Sequence, residues 1–341
     1  MDKINELVKL FQLTFDENTG HIVPLKGDGS ERRIIRLSNA RRSVIGIIGN
    51  NPDENKAFVS FSRHFHNAGL RVPEIYAENL AEGIYLEEDL GDETLFKWMT
   101  GQREKNGLSD EIILMYRKAL RQLPNFQIRA GRDIDYSLCY QHHEFGWASM
   151  VWDVHYFKHR FLEVFYKKSF DVGELEKDFI ALIEYLISAD RNYFLYRDFQ
   201  SRNIMLRNGE LYFVDYQSGR KGALQYDVAS LLYDAKANLP ESVRVGLLDY
   251  YLEQVEQFKP IDRKKFVEYF YGYVLIRIMQ ACGAYGYLGI VKGKKRFLKS
   301  IPFAIGNMEM LLEKDGIILQ DLKTLRDIFS NLVLDQSLKE I

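Results

Sequence analysis

Three polar side chains at fixed spacing are the residues of this chain that could do chemistry. Asp198, Asn203 and Asp215 lie five and then twelve residues apart in the stretch LYRDFQSRNIMLRNGELYFVDYQ. Phosphoryl transfer from ATP needs one carboxylate near the acceptor hydroxyl, and an amide oxygen with a second carboxylate to hold Mg²⁺ on the phosphates. The spacing therefore predicts ATP and Mg²⁺ as cofactors, Asp198 as the base, and Asn203 and Asp215 as metal ligands.

The segments around these residues predict how they are positioned. Short apolar runs alternate with polar turns, and Asn208-Gly209 is a strong signal for a two-residue hairpin. The pattern indicates a strand, a catalytic loop, a short β-hairpin and a metal loop. A single aspartate at a strand end more often only caps a turn, but the joint spacing of three such residues is much rarer by chance.

This segment resembles the catalytic motif of the aminoglycoside phosphotransferase and choline kinase-like superfamily, which reads H-x-D-x-x-x-x-N and later D followed by an aromatic residue. Tyr196 stands at the histidine position. Within the superfamily the chain is most similar to the anomeric sugar kinases of cell-wall recycling, which phosphorylate the 1-hydroxyl of N-acetylmuramate and N-acetylglucosamine. Four further stretches, between about Leu25 and Asn307, carry that similarity: GDGSERRIIR, NAGLRVPEIYAENLAEGIYLEEDLGDETL, QYDVASLLYDA and RIMQACGAYGYLG.

The resemblance implies a bilobal, protein-kinase-like α+β fold. The first lobe, residues 1–90, is expected to bind the nucleotide, and residues 91–341 to form a mainly helical catalytic and acceptor-binding lobe. In the first lobe the sequence predicts an amphipathic helix, strands over 20–25, 32–37 and 43–48, and a helix that opens at Pro52.

Two segments of the first lobe are predicted to contact the nucleotide. Gly27, Gly29 and Ser30 form a turn between strands, where backbone amides can approach phosphates without an intervening Cβ. An ordinary turn explains a lone G-x-G equally well, but its place ahead of the catalytic loop and the resemblance favour a phosphate loop. An apolar strand then passes into an acidic hinge, whose backbone is expected to bind the adenine edge through Glu87, Glu88, Asp89 and Leu90.

One part typical of kinase-like folds is missing. The third strand usually carries a lysine that binds phosphates and pairs with a glutamate of the next helix. Here that strand reads SVIGIIGNN, although the next helix offers Glu54. Alternation puts Arg32 and Arg36 on one face of the second strand and Arg33 on the other, with the apolar residues. Either phosphate binding depends on Mg²⁺ or a neighbouring cation substitutes for the lysine. In the second case we expect Arg33 to be the phosphate-side cation and Arg32 and Arg36 to face solvent.

Two residues are predicted on the acceptor side. The resemblance implies a role for Glu144, in a segment rich in histidines and aromatics that lacks zinc-ligand spacing. Arg277 shares a helical face with Phe266, Phe270 and Tyr273. An arginine on such a face needs an anion, which is more commonly an internal carboxylate, whereas the resemblance favours an acceptor or phosphate role.

Composition restricts the remaining possibilities. The 341 residues are 46% hydrophobic, and the net charge is −2, which disfavours a nucleic-acid partner. Cys139 and Cys282 lack partners at ligand spacing and are read as free thiols in a reducing compartment. The chain shows no signal-length apolar stretch and no run of membrane-spanning length, so a cytoplasmic protein is expected, with no obligate protein partner.

The predicted reaction is transfer of the γ-phosphoryl group of ATP to a small polar molecule, foremost the anomeric hydroxyl of an N-acetylated amino sugar. Kinases of choline, ethanolamine, homoserine or aminoglycosides are the enzymatic alternatives. The mixture of basic and acidic residues over 128–168 disfavours an aminoglycoside. The missing lysine and Tyr196 leave a third hypothesis open, a pseudokinase that binds nucleotide without catalysis.

Overall fold

A computed structural model describes residues 3–25 and 32–341 of the chain. These residues form two compact units, one of Met1–His143 and Tyr196–Arg220, the other of Glu144–Leu195 and Lys221–Ile341. The predicted lobe boundary at residue 90 follows a different division and stays a prediction.

A five-stranded antiparallel sheet organises the first unit. Its order is β1-β2-β3-β5-β4, where the strands are β1 (His21–Leu25), β2 (Arg33–Ser38), β3 (Ser43–Ile48), β4 (Ile75–Asn79) and β5 (Ile84–Glu88). The first three strands were predicted to within a residue at each end. Strand β4 was not identified, because it is a short edge strand whose first four residues are all half-buried, which leaves no clear alternation in the sequence.

Helix α1 (Lys3–Phe15) covers one face of this sheet, as its amphipathic sequence predicts. Leu7 and Phe11 are fully buried and pack against alternate residues of the central strands, among them Ile35 and Leu37. Gly46 of β3 permits this close packing, because a Cβ atom there would lie 3.1 Å from both methyl groups of Leu7. The opposite face of the sheet, with Ile34, Ile45 and Ile47, therefore remains for other contacts.

Helix α2 (Pro52–Asn67) follows the third strand and begins where proline predicted it. The side chain of Asn51 caps it by accepting hydrogen bonds from the backbone amides of Asp53 and Glu54. The other α-helices described in the first unit are Leu95–Asn106 and Asp110–Pro124, and a β-hairpin joins Ile204–Arg207 to Glu210–Phe213.

The second unit is mainly helical. Strand Tyr193–Leu195 pairs with Arg220–Gly222 in a small sheet. The longest helix, Arg263–Gly286, packs against helices Trp147–Phe157 and Leu224–Leu232. The other α-helices are Glu163–Phe165, Val172–Ile187, Glu241–Glu256, Ile301–Leu312, Lys323–Leu334 and Gln336–Lys339.

One helical segment differs from the expectation that no run reaches membrane-spanning length. Residues 263–291 are long and apolar enough to cross a membrane by length and composition. More than half of its most apolar window is buried inside the fold, which is typical of the core helix of a soluble protein. Cys139 and Cys282 are both buried free cysteines, as predicted.

The packing of α1 on the sheet predicts a large difference between two leucines of that helix. Leu7 is fully buried, whereas the side chain of Leu13 is 84% exposed. Leu7→Ala should lower the free energy of unfolding by about 2–5 kcal/mol, because it leaves a cavity between helix and sheet. Leu13→Ala should change it by less than about 0.5 kcal/mol. Denaturant unfolding of both variants measures this, and equal losses would contradict the packing.

Candidate active site

A tight hairpin sets the spacing of the catalytic segment. Asn208 and Gly209 both have positive φ, 52° and 79°, as a two-residue turn with the right twist requires. Leu206 pairs with Leu211 across the hairpin, as the sequence predicted. The loop that ends at Asn203 and the loop that contains Asp215 therefore both lie at the open end of the hairpin, opposite its turn.

The amide of Asn203 brings the three predicted residues together. Its Nδ2 donates to the backbone carbonyl of Asp198 at 2.9 Å and to Oδ2 of Asp215 at 3.1 Å. The backbone amide of Val214 in turn donates to the carbonyl of Asn203 at 3.1 Å. Because the amide nitrogen already has two acceptors, the amide oxygen is the group that Asn203 can offer to a cation.

Backbone conformation supports the same assignment. Arg197, next to Asp198, has a φ of 80°, and Asp215 has a φ of 71°. Non-glycine residues rarely adopt this left-handed region, and such residues concentrate at functional sites. Both loops of the motif thus contain one residue in a conformation that the surrounding structure must hold in place.

Tyr196 connects the loop that carries Asp198 to the loop that carries Asp215. Its hydroxyl donates to the carbonyl of Val214, the residue before Asp215, at 2.6 Å. Its fully buried ring contacts the rings of Phe126 and Phe199 edge to face. The residue that replaces the motif histidine therefore supports the metal loop directly, since the length of tyrosine lets it reach that carbonyl.

A cavity of about 440 Å³ lies between the sheet and the catalytic segment. Both predicted metal ligands line it, and so does the whole predicted hinge: Glu87, Glu88, Asp89 and Leu90. Aliphatic side chains, among them Ile45 and Met205, supply its apolar wall. An apolar slot with a polar, acidic end suits a nucleotide, whose base is flat and apolar and whose phosphates bind cations.

Side chains of the hinge are held by arginines. Glu88 pairs with Arg207 of the hairpin. Asp89 accepts from Nε of Arg36 at 2.7 Å and from the backbone amide of Gly91 at 3.0 Å. Arg36, which was expected to face solvent, instead ties the second strand to the hinge, so that expectation was wrong.

Arg32 lies in the cavity, which also corrects the expectation of a solvent-facing side chain. Only 11% of its side chain is exposed. Its Nη2 lies 2.9 Å from Oδ1 of Asp215, and its Nε lies 3.5 Å from Oε1 of Glu54 on α2. Arg33, the predicted phosphate-side cation, is exposed at the start of β2, on the face that continues into the core under α1, and does not line this cavity.

Glu87 adds a second acid, beside Asp215, to this end of the cavity. Its Oε2 is buried and has no hydrogen-bond partner among residues 3–25 and 32–341. Burial raises the pKa of Glu87 to about 8; nearby Arg32 opposes this shift and Asp215 reinforces it. A protonated Glu87 lowers the negative charge that Arg32 must offset.

The donor set at Asn203 and Asp215 fits a hard divalent cation such as Mg²⁺, which prefers carboxylate and amide oxygens and takes further ligands from phosphates. Within the described part of the chain, no group of three or more His, Cys, Asp or Glu residues is arranged to hold a metal alone. A cation held by one carboxylate and one amide oxygen would need further ligands, which the phosphates of a nucleotide can supply.

The remaining predicted site residues fall into two groups. Gly27, Gly29 and Ser30 fall outside the described residues. Glu144 and Arg277 belong to the second unit. Glu144 is exposed and lies 3.4 Å from Arg191. Arg277 is only 7% exposed, and it donates to the hydroxyl of Ser230 and to the side-chain oxygen of Gln280.

Comparison with known proteins defines the class. Residues 21–261 match the model of the phosphotransferase enzyme family, which is more than half of the chain. The chain belongs to this family, and it is a small-molecule kinase.

Two relatives with the same name are similar to this chain over most of its length. The chain is 25% identical over 291 residues to an N-acetylmuramate/N-acetylglucosamine kinase of Pseudomonas aeruginosa, covering 82% of this chain and 80% of that protein. It is 22% identical over 309 residues to a kinase of the same name from Neisseria meningitidis, covering 89% of each.

Solved structures confirm the fold class. An amicoumacin kinase in complex with AMP-PNP, Ca²⁺ and its ligand superposes with a TM-score of 0.60 at 13% identity, covering 97% of this chain and 94% of that one. A choline kinase of Streptococcus pneumoniae gives 0.56 at 13% identity, covering 89% of this chain and 100% of that one. The chain therefore has the α+β, protein-kinase-like fold that was predicted.

The hydroxyl of Tyr196 provides a test of how the loops are held. Tyr196→Phe should lower kcat, because the carbonyl of Val214 loses its donor and the metal loop loses a support. Stability should fall by about 0.5–1.5 kcal/mol, the usual net value of one hydrogen bond. Steady-state kinetics over a range of Mg²⁺ concentrations would measure kcat and the Mg²⁺ requirement.

Tyr212→Phe is the matched control, because Tyr212 is a half-buried tyrosine of the nearby hairpin strand. It should leave kcat and the Mg²⁺ requirement unchanged. If Tyr196→Phe keeps the parent kcat and the parent Mg²⁺ requirement, the hydroxyl does not support the metal loop.

Proposed function

We propose that this kinase transfers the γ-phosphoryl group of ATP to the anomeric hydroxyl of an N-acetylated amino sugar, N-acetylmuramate or N-acetylglucosamine. The observation that carries the reaction type is the amide of Asn203, which joins the backbone of Asp198 to the carboxylate of Asp215 beside a nucleotide-sized cavity. The sugar is supported by the names of the relatives that match over most of their length.

Each residue of the motif has one role in this proposal. Asp198 accepts the proton of the acceptor hydroxyl and orients that oxygen towards the phosphorus atom. Asn203 and Asp215 would hold Mg²⁺, which neutralises charge on the phosphates when it is bound. Tyr196 and the hydrogen bonds of Asn203 position these groups, so little reorganisation is needed when the reaction occurs.

Hinge and cavity residues would bind the nucleotide. Backbone groups of the hinge, Glu87 to Leu90, would read the edge of the base. The amide of Glu88 already donates to the carbonyl of Glu74, so Asp89 and Leu90, which follow β5, are the residues that we propose contact the base. The aliphatic wall of the cavity would cover the faces of the base. The amicoumacin kinase of the same fold binds the ATP analogue AMP-PNP, which supports a nucleotide here.

On the acceptor side we propose Arg277 and Glu144. Arg277 is almost fully buried, and its two acceptors, Ser230 and Gln280, are neutral and do not offset its charge. An arginine in that state suits an anionic group, such as the carboxylate of N-acetylmuramate. Exposed Glu144 could accept hydrogen bonds from sugar hydroxyls.

Asp198→Asn tests the base. The amide cannot take the hydroxyl proton, so kcat should fall by a factor of about 10² to 10⁴, while the affinity for ATP stays close to that of the parent. ADP release with N-acetylglucosamine as acceptor gives kcat, and calorimetry gives the affinity.

Asp249→Asn, on an exposed helix position of the second unit, is the control and should retain full activity. Parent-like turnover in Asp198→Asn would remove this residue from the mechanism. A parent chain that binds ATP but releases no ADP with any sugar or amino alcohol would support the pseudokinase.

The position of the new phosphate tests the substrate. A methyl glycoside has no free anomeric hydroxyl, so no proton can be removed there and no oxygen can attack phosphorus. We expect N-acetylglucosamine and N-acetylmuramate to be phosphorylated and their methyl glycosides to be inert, as measured by ADP release and by phosphorus NMR of the product. Equal rates for the free sugar and its glycoside would contradict the anomeric assignment and leave the kinase reaction intact.

A further inference from the structure

The cavity lacks a lysine at the place where kinase-like folds normally have one. The residues of β3 that line the cavity are Ile45 and Ile47, and both are apolar. The phosphates of ATP carry several negative charges, and a metal ion neutralises only part of them. A second cation near the phosphates would offset part of the remaining charge if this cavity binds ATP.

Arg32 has the contacts that the missing lysine would have. Ile34 of β2 pairs with Ile47 of β3, so a residue two positions before Ile34 extends the same cavity-facing row towards α2. From there Arg32 reaches Glu54 of α2 at 3.5 Å and Asp215 at 2.9 Å. A lysine on the third strand typically makes the same pairing with the glutamate of this helix.

The surroundings keep Arg32 in place. Its guanidinium lies 5.7 Å from the ring centroid of Phe58, and its Nη1 lies 3.5 Å from the hydroxyl of Tyr85. A guanidinium stays protonated in proteins, so Arg32 carries its positive charge here. Arg202 also lines the cavity, and its guanidinium lies over the ring of Phe96.

We propose that Arg32 is the phosphate-binding cation of this kinase and replaces the third-strand lysine from the neighbouring strand, with Glu54 orienting it. The inference rests on the proposed use of ATP. A planar guanidinium suits this role, because it can donate to two phosphate oxygens at once while Nε still faces Glu54. Arg33, the neighbour in sequence, lies on the opposite face of the strand and is the natural control.

Binding measurements without any acceptor test this assignment. We would titrate the parent protein, Arg32→Met, Arg32→Lys and Arg33→Met with MgATP, with ATP in EDTA and with adenosine, using calorimetry. Arg32→Met should weaken MgATP and metal-free ATP about 10- to 100-fold, the value of hydrogen bonds to a charged group, and leave adenosine unchanged. Arg32→Lys should bind MgATP more tightly than Arg32→Met, and Arg33→Met should match the parent.

Several results would overturn the proposal. If Arg32 only neutralised Asp215, its removal would leave MgATP binding unchanged or strengthen it, because the carboxylate would become more available to the metal. An equal loss for ATP and adenosine would mean that Arg32 shapes the cavity and does not bind phosphate. Equal weakening in the Lys and Met variants would mean that its charge does not matter.

The same titrations separate this inference from the proposed function. A parent protein that binds no ATP would overturn both. A parent that binds MgATP, together with an Arg32→Met variant that binds it equally well, would overturn only the role of Arg32.

Discussion

The hydrogen bonds of one side-chain amide hold the site together. Asn203 donates from a single nitrogen to the backbone of Asp198 and to the carboxylate of Asp215, residues that lie on separate loops. The first loop contains only a short 3-10 helix, Ser201–Asn203, and each loop contains a residue in the left-handed region of the backbone. Three further features hold these two loops next to each other: the hairpin between them, the hydroxyl of Tyr196, and the backbone hydrogen bond from Val214.

Charge balance is the second constraint on the cavity. Asp215, Glu54 and Glu87 bring three acids close to one buried arginine, Arg32. Burial favours the neutral form of Glu87, which leaves two carboxylates to share one guanidinium. A cluster with an excess of acids in a partly apolar slot favours cations, and this is the electrostatic character that a metal-nucleotide site needs.

The sheet separates this polar cluster from the hydrophobic core of the first unit. Helix α1 covers the face with Ile35 and Leu37, and the cavity lies on the face with Ile34 and Ile45. Because side chains alternate along a strand, each central strand contributes to both. The odd-numbered residues of β2 and the even-numbered residues of β3 face α1, so substitutions there should act on stability. Substitutions at the other positions of these strands should act on the cavity.

The sequence by itself determined the local elements and the catalytic motif. Proline, Asn-Gly and the alternation of apolar residues act over a few positions, so the first three strands, the start of α2 and the hairpin could be predicted from composition and spacing. The spacing of Asp198, Asn203 and Asp215 likewise indicated one site, because a short hairpin brings its two ends together. The prediction that Arg32 and Arg33 point to opposite sides was also correct: Arg32, directly before β2, lines the cavity, and Arg33 lies on the other face.

Only the tertiary structure decided which face of β2 meets the cavity. The apolar neighbours of Arg33 suggested a functional face, but they are apolar because α1 packs on them, and this contact joins residues distant in sequence. The arginine of the cavity is consequently Arg32, whose partners Glu54 and Asp215 lie 22 and 183 residues away along the chain. The alternation of residues along a strand indicates that the strand has two faces. What covers each face depends on packing between residues distant in sequence, which a local sequence pattern does not specify.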